Sequence, residues 1–95
     1  MKTDKFSVHE SAYIDNNVKI GENSIIAGQV GIAGSSIIGN NVKIGGQAGI
    51  SGHLRIGNNV EIGGGSGVIR NIPDNTKVMG YPAKNIREFL RDNKW

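Results

Sequence analysis

The chain lacks several residue types that would otherwise point to a function. It contains no cysteine, which excludes disulfides, thiolate metal sites and cysteine nucleophiles. One tryptophan, two tyrosines and two phenylalanines are too few for a nucleic-acid surface of interleaved basic and aromatic residues. No run of about 18 apolar residues occurs, and residues 1–6 lack the apolar core of a signal peptide. We therefore expect no membrane span, no nucleic-acid partner and a cytoplasmic location.

Excess charge of one sign is confined to one end of the chain. Residues 1–76 carry six basic and six acidic side chains, whereas residues 77–95 carry five basic and two acidic ones. This segment therefore accounts for the whole net charge of +3. The basic residues are consistent with a solvated helix face, or with a small docking patch for an acidic partner.

What the chain has in abundance is a regular aliphatic spacing. Every sixth residue from Val8 to Val68 is isoleucine or valine. Six residues are three full periods of a β-strand, so all these side chains point to the same side, whereas an α-helix would spread them over three faces. Related Gly-x-Asn triplets begin at Gly21, Gly39 and Gly57, giving a second period of 18. The pattern predicts a β-solenoid of about four coils with three short strands per coil.

The two periods together predict three stacks of buried side chains. The stacks are Val8, Ile26, Ile44 and Ile62; Ile14, Ile32, Ile50 and Val68; and Ile20, Ile38 and Ile56. We interpret the small residues that follow these positions, such as Gly21 and Gly39, as corners at which the backbone turns. The Asn pairs, such as Asn40–Asn41, supply side chains that tolerate a left-handed backbone.

The repeat divides the chain into three segments. We expect a flexible N-terminus at residues 1–6, a parallel β-helix at 7–79, and a turn with a C-terminal amphipathic helix at 80–95. Pro73 and Asp74 interrupt the repeat and predict that the sheet ends near Ile72, with 77–79 as one possible last strand. Helical spacing then appears at Ile86, Phe89 and Leu90.

A solenoid of so few coils needs both ends covered, so we expect an oligomer. Because only seven residues precede the first repeated position, the N-terminal coil is predicted to expose a sheet end. Exposed ladder edges favour pairing, so oligomers are expected to stack end to end.

The sequence offers few groups for chemistry. The glycine-rich segments 28–34 and 63–67 lack the context of phosphate-binding loops and are interpreted as corners. His9 and His53 are the only imidazoles, and their separation of 44 is not a multiple of 18, so they cannot share a corner. We therefore expect no zinc site. His53 follows a corner glycine and is predicted to project from an edge of the prism.

The repeated [Leu/Ile/Val]-Gly-x-x-x-x pattern resembles the hexapeptide-repeat acyltransferases. That resemblance implies an all-β, left-handed parallel β-helix. More narrowly, three segments look like the lipid A N-acyltransferases that act on UDP-3-O-(3-hydroxyacyl)glucosamine: 26–35, 44–53 and Gly80-Tyr-Pro-Ala-Lys84. These trimeric enzymes move a 3-hydroxyacyl chain from acyl carrier protein to the amine of a UDP-linked glucosamine. The chain resembles a first coil joined to the last three, with the nucleotide-binding domain missing.

The resemblance also implies roles for individual residues. His53 matches a histidine of the active-site groove, and Gly34 matches the glycine whose N–H stabilises the oxyanion. The general base of these enzymes is a histidine within Ala-His-Asn-Val-x-Ile-Gly, and here its position holds Asn16. An amide cannot accept that proton, so the resemblance implies weak or absent turnover. Gly80, Tyr81, Pro82 and Ala83 match the donor-binding end of coenzyme A-dependent relatives.

Three functional hypotheses follow. The first is a homotrimeric acyltransferase whose donor is carried on acyl carrier protein phosphopantetheine, with the basic C-terminal helix facing that protein. The second is a non-catalytic trimeric β-helix that serves as an assembly module. The third is a small sugar acetyltransferase using coenzyme A, with His53 as its only catalytic histidine. None of the three requires a tightly bound cofactor.

Overall fold

A computed structural model describes residues 5–92 and shows a parallel β-solenoid followed by one short helix. Residues 1–4 of the predicted flexible N-terminus lie outside the described residues, as do 93–95 of the C-terminal segment. Phe6, at the other end of that N-terminal segment, is half-buried and packs against the core.

Eleven two-residue strands each end on one of the repeated aliphatic positions. They are β1 (Ser7–Val8), β2 (Tyr13–Ile14), β3 (Lys19–Ile20), β4 (Ile25–Ile26), β5 (Gly31–Ile32), β6 (Ile37–Ile38), β7 (Lys43–Ile44), β8 (Gly49–Ile50), β9 (Arg55–Ile56), β10 (Glu61–Ile62) and β11 (Gly67–Val68). Three further elements follow: β12 (Lys77–Met79), β13 (Lys84–Asn85) and α1 (Ile86–Asp92).

The strands form three flat faces, and each coil contributes one strand to each face. The first face has the order β1-β4-β7-β10-β12-β13, the second β2-β5-β8-β11, and the third β3-β6-β9. Neighbouring strands are parallel and offset by one repeat of the longer period, as in Val8 opposite Ile26 and Ile26 opposite Ile44. The exceptions are the parallel β10–β12 pair, which is offset by 16 residues, and the antiparallel β12–β13 pair. The three predicted stacks are therefore confirmed.

The core is a column of aliphatic side chains enclosed by the three faces. Ile26, Ile38 and Ile56 are each exposed by 2% or less. Ser24 and Ser36 alternate with larger residues at the inner secondary positions and are also buried. Their hydroxyls join successive coils: that of Ser24, for example, donates to the Gly39 carbonyl at 2.8 Å. Among residues 5–92, no buried side-chain N or O atom lacks a hydrogen-bond partner.

Each of the nine corners between β2 and β11 turns through one residue in the left-handed region. Asn17, Asn41 and Asn59 have φ of 61°, 56° and 57°, as the Asn pairs predicted. Ser35 and His53 adopt the same conformation, with φ of 62° and 59°. Within the segments 28–34 and 63–67, residues 28–29, 34 and 64–65 lie in turns, which confirms these parts as corners, whereas Gly31–Ile32 form β5 and Gly67 begins β11.

The glycine after a repeated isoleucine has a different role from the predicted one. Gly21 and Gly39 are not among the residues with positive φ, so turning the corner does not require glycine there. A Cβ at Gly39 would lie 2.6 Å from the carbonyl oxygen of Gly57 in the next coil. At Gly45 a Cβ would lie 2.5 Å from the backbone nitrogen of Gly64. Glycine is needed at these positions because adjacent coils approach too closely to admit a Cβ.

The expectation that the sheet ends near Ile72 is wrong, whereas the possible last strand at 77–79 is confirmed as β12. Ile72 forms a parallel bridge with Ile56, and β12 pairs in parallel with β10, so the stack continues for part of another coil. The offset falls from 18 residues to 16 there, which is why the repeat is lost from the sequence. Asp74 lies at the following corner, where its Oδ1 accepts the Asn58 N–H at 2.7 Å.

The C-terminal segment folds back over the top of the first face. β13 pairs with β12, and α1 then runs for seven residues from Ile86. Phe89 packs over Gly80, where an added Cβ would meet its ring at 2.9 Å. Leu90, on the predicted apolar side of the helix, is 60% exposed. No helix within residues 5–92 is long and apolar enough to cross a membrane.

Candidate functional site

The corner between the second and third faces brings together the three residues proposed for acyl transfer. We call this corner the site edge and define it by residues 15–18, 33–36 and 51–54 of three successive coils. The Ser35 N–H donates to the carbonyl of Asn16 at 3.0 Å, and the His53 N–H donates to the carbonyl of Gly34 at 3.0 Å. Gly34 therefore lies between Asn16 on one side and His53 on the other, one coil from each.

Gly34 has the features needed for an exposed backbone donor. Its N–H donates to no group within residues 5–92, whereas its carbonyl accepts from His53. A Cβ at Gly34 would lie 3.3 Å from the Asn16 carbonyl oxygen, so a larger residue would press on the coil below. An unpaired, fixed N–H at this place can stabilise a developing negative charge.

His53 projects from the site edge into solvent. Its residue is exposed and its backbone is left-handed, which directs the side chain away from the prism. His9 lies on a different corner, where its Nδ1 and the Ser11 Oγ are 2.8 Å apart. The two imidazoles are thus separated, as their spacing predicted. Within the described residues, no group of three His, Cys, Asp or Glu side chains could hold a metal ion.

A groove runs along the second face beside the site edge. Its floor consists of outward positions that carry no side chain: Gly31, Gly49 and Gly67. Tyr13 stands at the first coil and Tyr81 at the last; these rings are 66% and 83% exposed. We call this the glycine groove; its volume is about 470 Å³. Asp15, Ala33 and Ser51 line the side that borders the site edge.

Sequence reasoning missed this groove, although a signal was present. The glycines recur every 18 residues at the strand position that points outward, directly before a repeated aliphatic residue. A Cβ on Gly31 or Gly49 would meet nothing within 4 Å. Their small size is therefore not required by packing within this chain, and it leaves the groove open.

The turn at residues 80–83 closes the far end of the glycine groove. The Gly67 N–H donates to the carbonyl of Gly80 at 2.8 Å, and the Ala83 N–H donates to the carbonyl of Gly67 at 2.7 Å. Gly80 has φ of 104°, and the Tyr81–Pro82 peptide bond is cis. The Tyr81 ring lies over Gly67, where an added Cβ would approach it to 2.3 Å. The proposed donor-binding residues therefore meet the same groove that passes Asp15.

Comparison with known proteins shows what the chain is similar to. The family model for bacterial transferase hexapeptide (six repeats) matches residues 35–70. UDP-3-O-acylglucosamine N-acyltransferase 2 of Legionella pneumophila (strain Paris) is 58% identical over 78 residues, covering 82% of this chain and 23% of that protein. The Caulobacter vibrioides (strain NA1000 / CB15N) UDP-3-O-acylglucosamine N-acyltransferase is 50% identical over 95 residues, covering 94% of this chain and 28% of that protein. The chain thus spans about a quarter of these relatives.

Three solved structures with a similar fold are acetyltransferases. Serine acetyltransferase of Neisseria gonorrhoeae, in complex with serine, is 31% identical with a TM-score of 0.64, covering 81% of this chain and 40% of that one. Maltose O-acetyltransferase of Clostridium difficile 630 is 26% identical with a TM-score of 0.73, covering 85% and 65%. Serine acetyltransferase of Brucella abortus strain S19, in complex with coenzyme A, is 25% identical with a TM-score of 0.68, covering 83% and 40%. Residues 35–70 thus match the hexapeptide repeats of bacterial transferases, and most of the chain is homologous to one part of the UDP-3-O-acylglucosamine N-acyltransferases.

Proposed function

We propose that this chain transfers an acyl group, slowly, from a phosphopantetheine thioester to the amine of a UDP-linked acylglucosamine. The observation that carries the proposal is the position of Gly34 and His53 on one edge beside the glycine groove. The thioester arm would lie along the glycine floor, with its carbonyl at the Gly34 N–H. His53 would bind or polarise the substrate at the rim.

The donor is proposed to be carried on acyl carrier protein, and free coenzyme A is the alternative. Arg87 and Arg91 lie on α1 and are exposed, close to the turn that closes the groove. An acidic carrier protein would be attracted to these charges, and the attraction would weaken with salt. The coenzyme A complex of the Brucella abortus serine acetyltransferase supports the alternative, because the free cofactor has the same arm.

A homotrimer is the proposed assembly. Ile25 and Ile69 are each 51% exposed, and Leu90 is 60% exposed. A second copy would remove these aliphatic side chains from water. Stacking of trimers through their N-terminal coils remains part of the proposal, and light scattering at high concentration tests it. A single trimer mass at every concentration would contradict stacking.

The decisive experiment is an acyl-transfer assay that compares the variants His53→Ala and His9→Ala. UDP-3-O-acylglucosamine is incubated with a 3-hydroxyacyl thioester of acyl carrier protein, and product is followed by mass spectrometry. We expect His53→Ala to lower kcat by about 10²-fold or more, since loss of one polarising group typically costs that much. His9→Ala is the matched control because His9 is an exposed imidazole on another corner, and we expect it to leave the rate unchanged.

A non-catalytic assembly module is the second candidate, and Asn16 favours it. Asn16 stands where the resemblance implies the general base, and its amide cannot accept a proton. The chain would therefore keep the fold without the catalytic activity. This candidate requires that neither acyl carrier protein nor UDP-sugar binds, which isothermal titration measures directly. The third candidate, a coenzyme A-dependent sugar acetyltransferase, is supported by the fold of maltose O-acetyltransferase. Transfer from acetyl-coenzyme A to a simple sugar, without transfer to UDP-glucosamine, would favour it over the first.

A further inference from the structure

We propose that Asp15 is the proton acceptor of the acyl-transfer step, in place of the histidine that Asn16 has replaced. This inference rests on the proposed function and assigns its missing base. Asp15 directly follows β2 (Tyr13–Ile14) and begins the site edge, one residue before Asn16. The resemblance to the Ala-His-Asn-Val segment implies an alanine at the Asp15 position and a histidine at the Asn16 position of the family.

The Asp15 carboxylate is held in place by its own chain. Its Oδ1 accepts the Asn16 N–H at 2.7 Å, and the Tyr13 hydroxyl lies 3.5 Å from the same oxygen. The Asp15 N–H donates to the carbonyl of Ile32 in the next coil at 3.0 Å. The residue is half-buried and lines the glycine groove. One oxygen is therefore engaged in fixing the group, and the other is available.

The available oxygen lies beside Gly34. Oδ2 accepts no hydrogen bond from residues 5–92, and it would lie 3.7 Å from a Cβ built on Gly34. Gly34 also carries the unpaired N–H proposed to bind the oxyanion. A carbonyl carbon held at that N–H would thus have a carboxylate one coil below it and the imidazole of His53 one coil above.

The proposed acyl transfer needs only the amine of the acceptor and the thioester donor as reactants. The amine lone pair attacks the thioester carbonyl carbon, a C–N bond forms, and the carbonyl electron pair moves to the oxygen at the Gly34 N–H. Asp15 accepts a proton from the attacking nitrogen. The carbonyl then re-forms, the C–S bond breaks, and the proton passes to the leaving thiolate. Amide and thiol are the products, and Asp15 returns to its carboxylate form. A carboxylate is a weaker base than an imidazole, so the step is slow.

Asp15→Asn tests the inference with little change of shape. The amide keeps an oxygen for the Asn16 N–H but cannot accept a proton. We expect kcat to fall by about 10²-fold or more, while KM for the acyl carrier thioester stays within about twofold. Glu10→Gln makes the same chemical change at an exposed carboxylate of the same coil on another corner, and should leave both constants unchanged. Wild-type kcat in Asp15→Asn would overturn the inference.

A double variant separates failure of this inference from failure of the proposed function. Asp15→Ala with Asn16→His introduces the Ala-His pair that the resemblance implies for the family, and we expect it to regain at least the wild-type rate that Asp15→Ala alone loses. An inactive wild type beside an active double variant would overturn the role of Asp15 and retain the groove. Inactivity of both would overturn the proposed function itself. If Asp15→Asn fails to fold, Asp15→Ala alone decides.

Discussion

The backbone N–H of His53 donates to the carbonyl of Gly34 at 3.0 Å, although 19 positions separate the two residues in the chain. This bond belongs to a coil-to-coil series in which Ser35 is bonded to Asn16 in the same way. The site edge is therefore a property of the stacking itself. Any change that shifts one coil against the next also shifts the imidazole relative to the proposed oxyanion donor.

The aliphatic stacks should dominate stability. Ile26→Ala removes a side chain that is 1% exposed and leaves a cavity, so we expect a loss of about 2–5 kcal/mol in the free energy of unfolding. Ile25→Ala is the matched control, because Ile25 is the adjacent residue, points outward and is 51% exposed. Urea denaturation measures both. Equal losses would show that Ile25 is also buried, as an interface between copies would require.

Substitution by alanine should have opposite effects at glycines between closely packed coils and at glycines on the floor of the glycine groove. Gly39→Ala places a Cβ 2.6 Å from the Gly57 carbonyl oxygen, and we expect it to cost about 1–3 kcal/mol through overpacking. Gly31→Ala meets no atom within 4 Å, so the unfolding free energy should be unchanged or slightly higher. Thermal denaturation distinguishes the two. A stable Gly39→Ala protein would contradict the close approach of neighbouring coils.

On the corner between the third and first faces, side-chain oxygens that accept hydrogen bonds should stabilise the stacking of coils. Asn58 Oδ1 accepts the Asn40 N–H at 2.8 Å, and Asp74 Oδ1 accepts the Asn58 N–H in the next coil. We expect Asn58→Ala to destabilise the chain by about 0.5–1.5 kcal/mol. Asn58→Asp keeps the acceptor and should retain most of the stability, as Asp74 does at the equivalent position. Equal losses in the two variants would show that the amide hydrogens matter instead.

The end of the chain should carry a pH-dependent contact. Lys84 Nζ lies 2.5 Å from Asp92 Oδ2, and this hydrogen bond lowers the pKa of Asp92 and raises the pKa of Lys84. Because the folded pKa of Asp92 lies below its ordinary 3.8, the contribution is complete above 3.8 and is lost as the pH falls through the folded value. For Lys84 it is complete below 10.5 and is lost as the pH rises through the higher folded value.

Asp92→Asn tests this contact. We expect a slightly lower melting midpoint of the helical circular dichroism signal at neutral pH, with the difference from wild type narrowing below pH 3.8. Both side chains are more than one-third exposed, so added salt should also narrow the difference. Glu88→Gln changes the same charge on the same helix and should have the smaller effect. An equal effect of Asp92→Asn and Glu88→Gln would attribute the lower melting midpoint to net charge and not to the contact between Lys84 and Asp92.

The six-residue spacing was enough to predict the solenoid, the number of strands per coil and the partners within each stack. A two-residue strand has one inward and one outward side chain, so the positions of the isoleucines and valines in the six-residue repeat fix which residues face the core. Ile44 opposite Ile62 could be predicted from spacing alone. The left-handed asparagines could be predicted too, because few other side chains favour that conformation.

The contacts between coils, and the change of offset at the end of the solenoid, could be seen only in the tertiary structure. The 16-residue step at Ile72 leaves no periodic trace, since a shorter corner changes the count but not the hydrogen-bonded stacking. Only coordinates bring Tyr81 over Gly67, or Asp15 beside Gly34. Those contacts depend on how closely the coils approach and on which side of a corner a side chain leaves the backbone. Hydrophobic periodicity gives neither the distance between coils nor the direction of a corner side chain, because it indicates only which residues face inward.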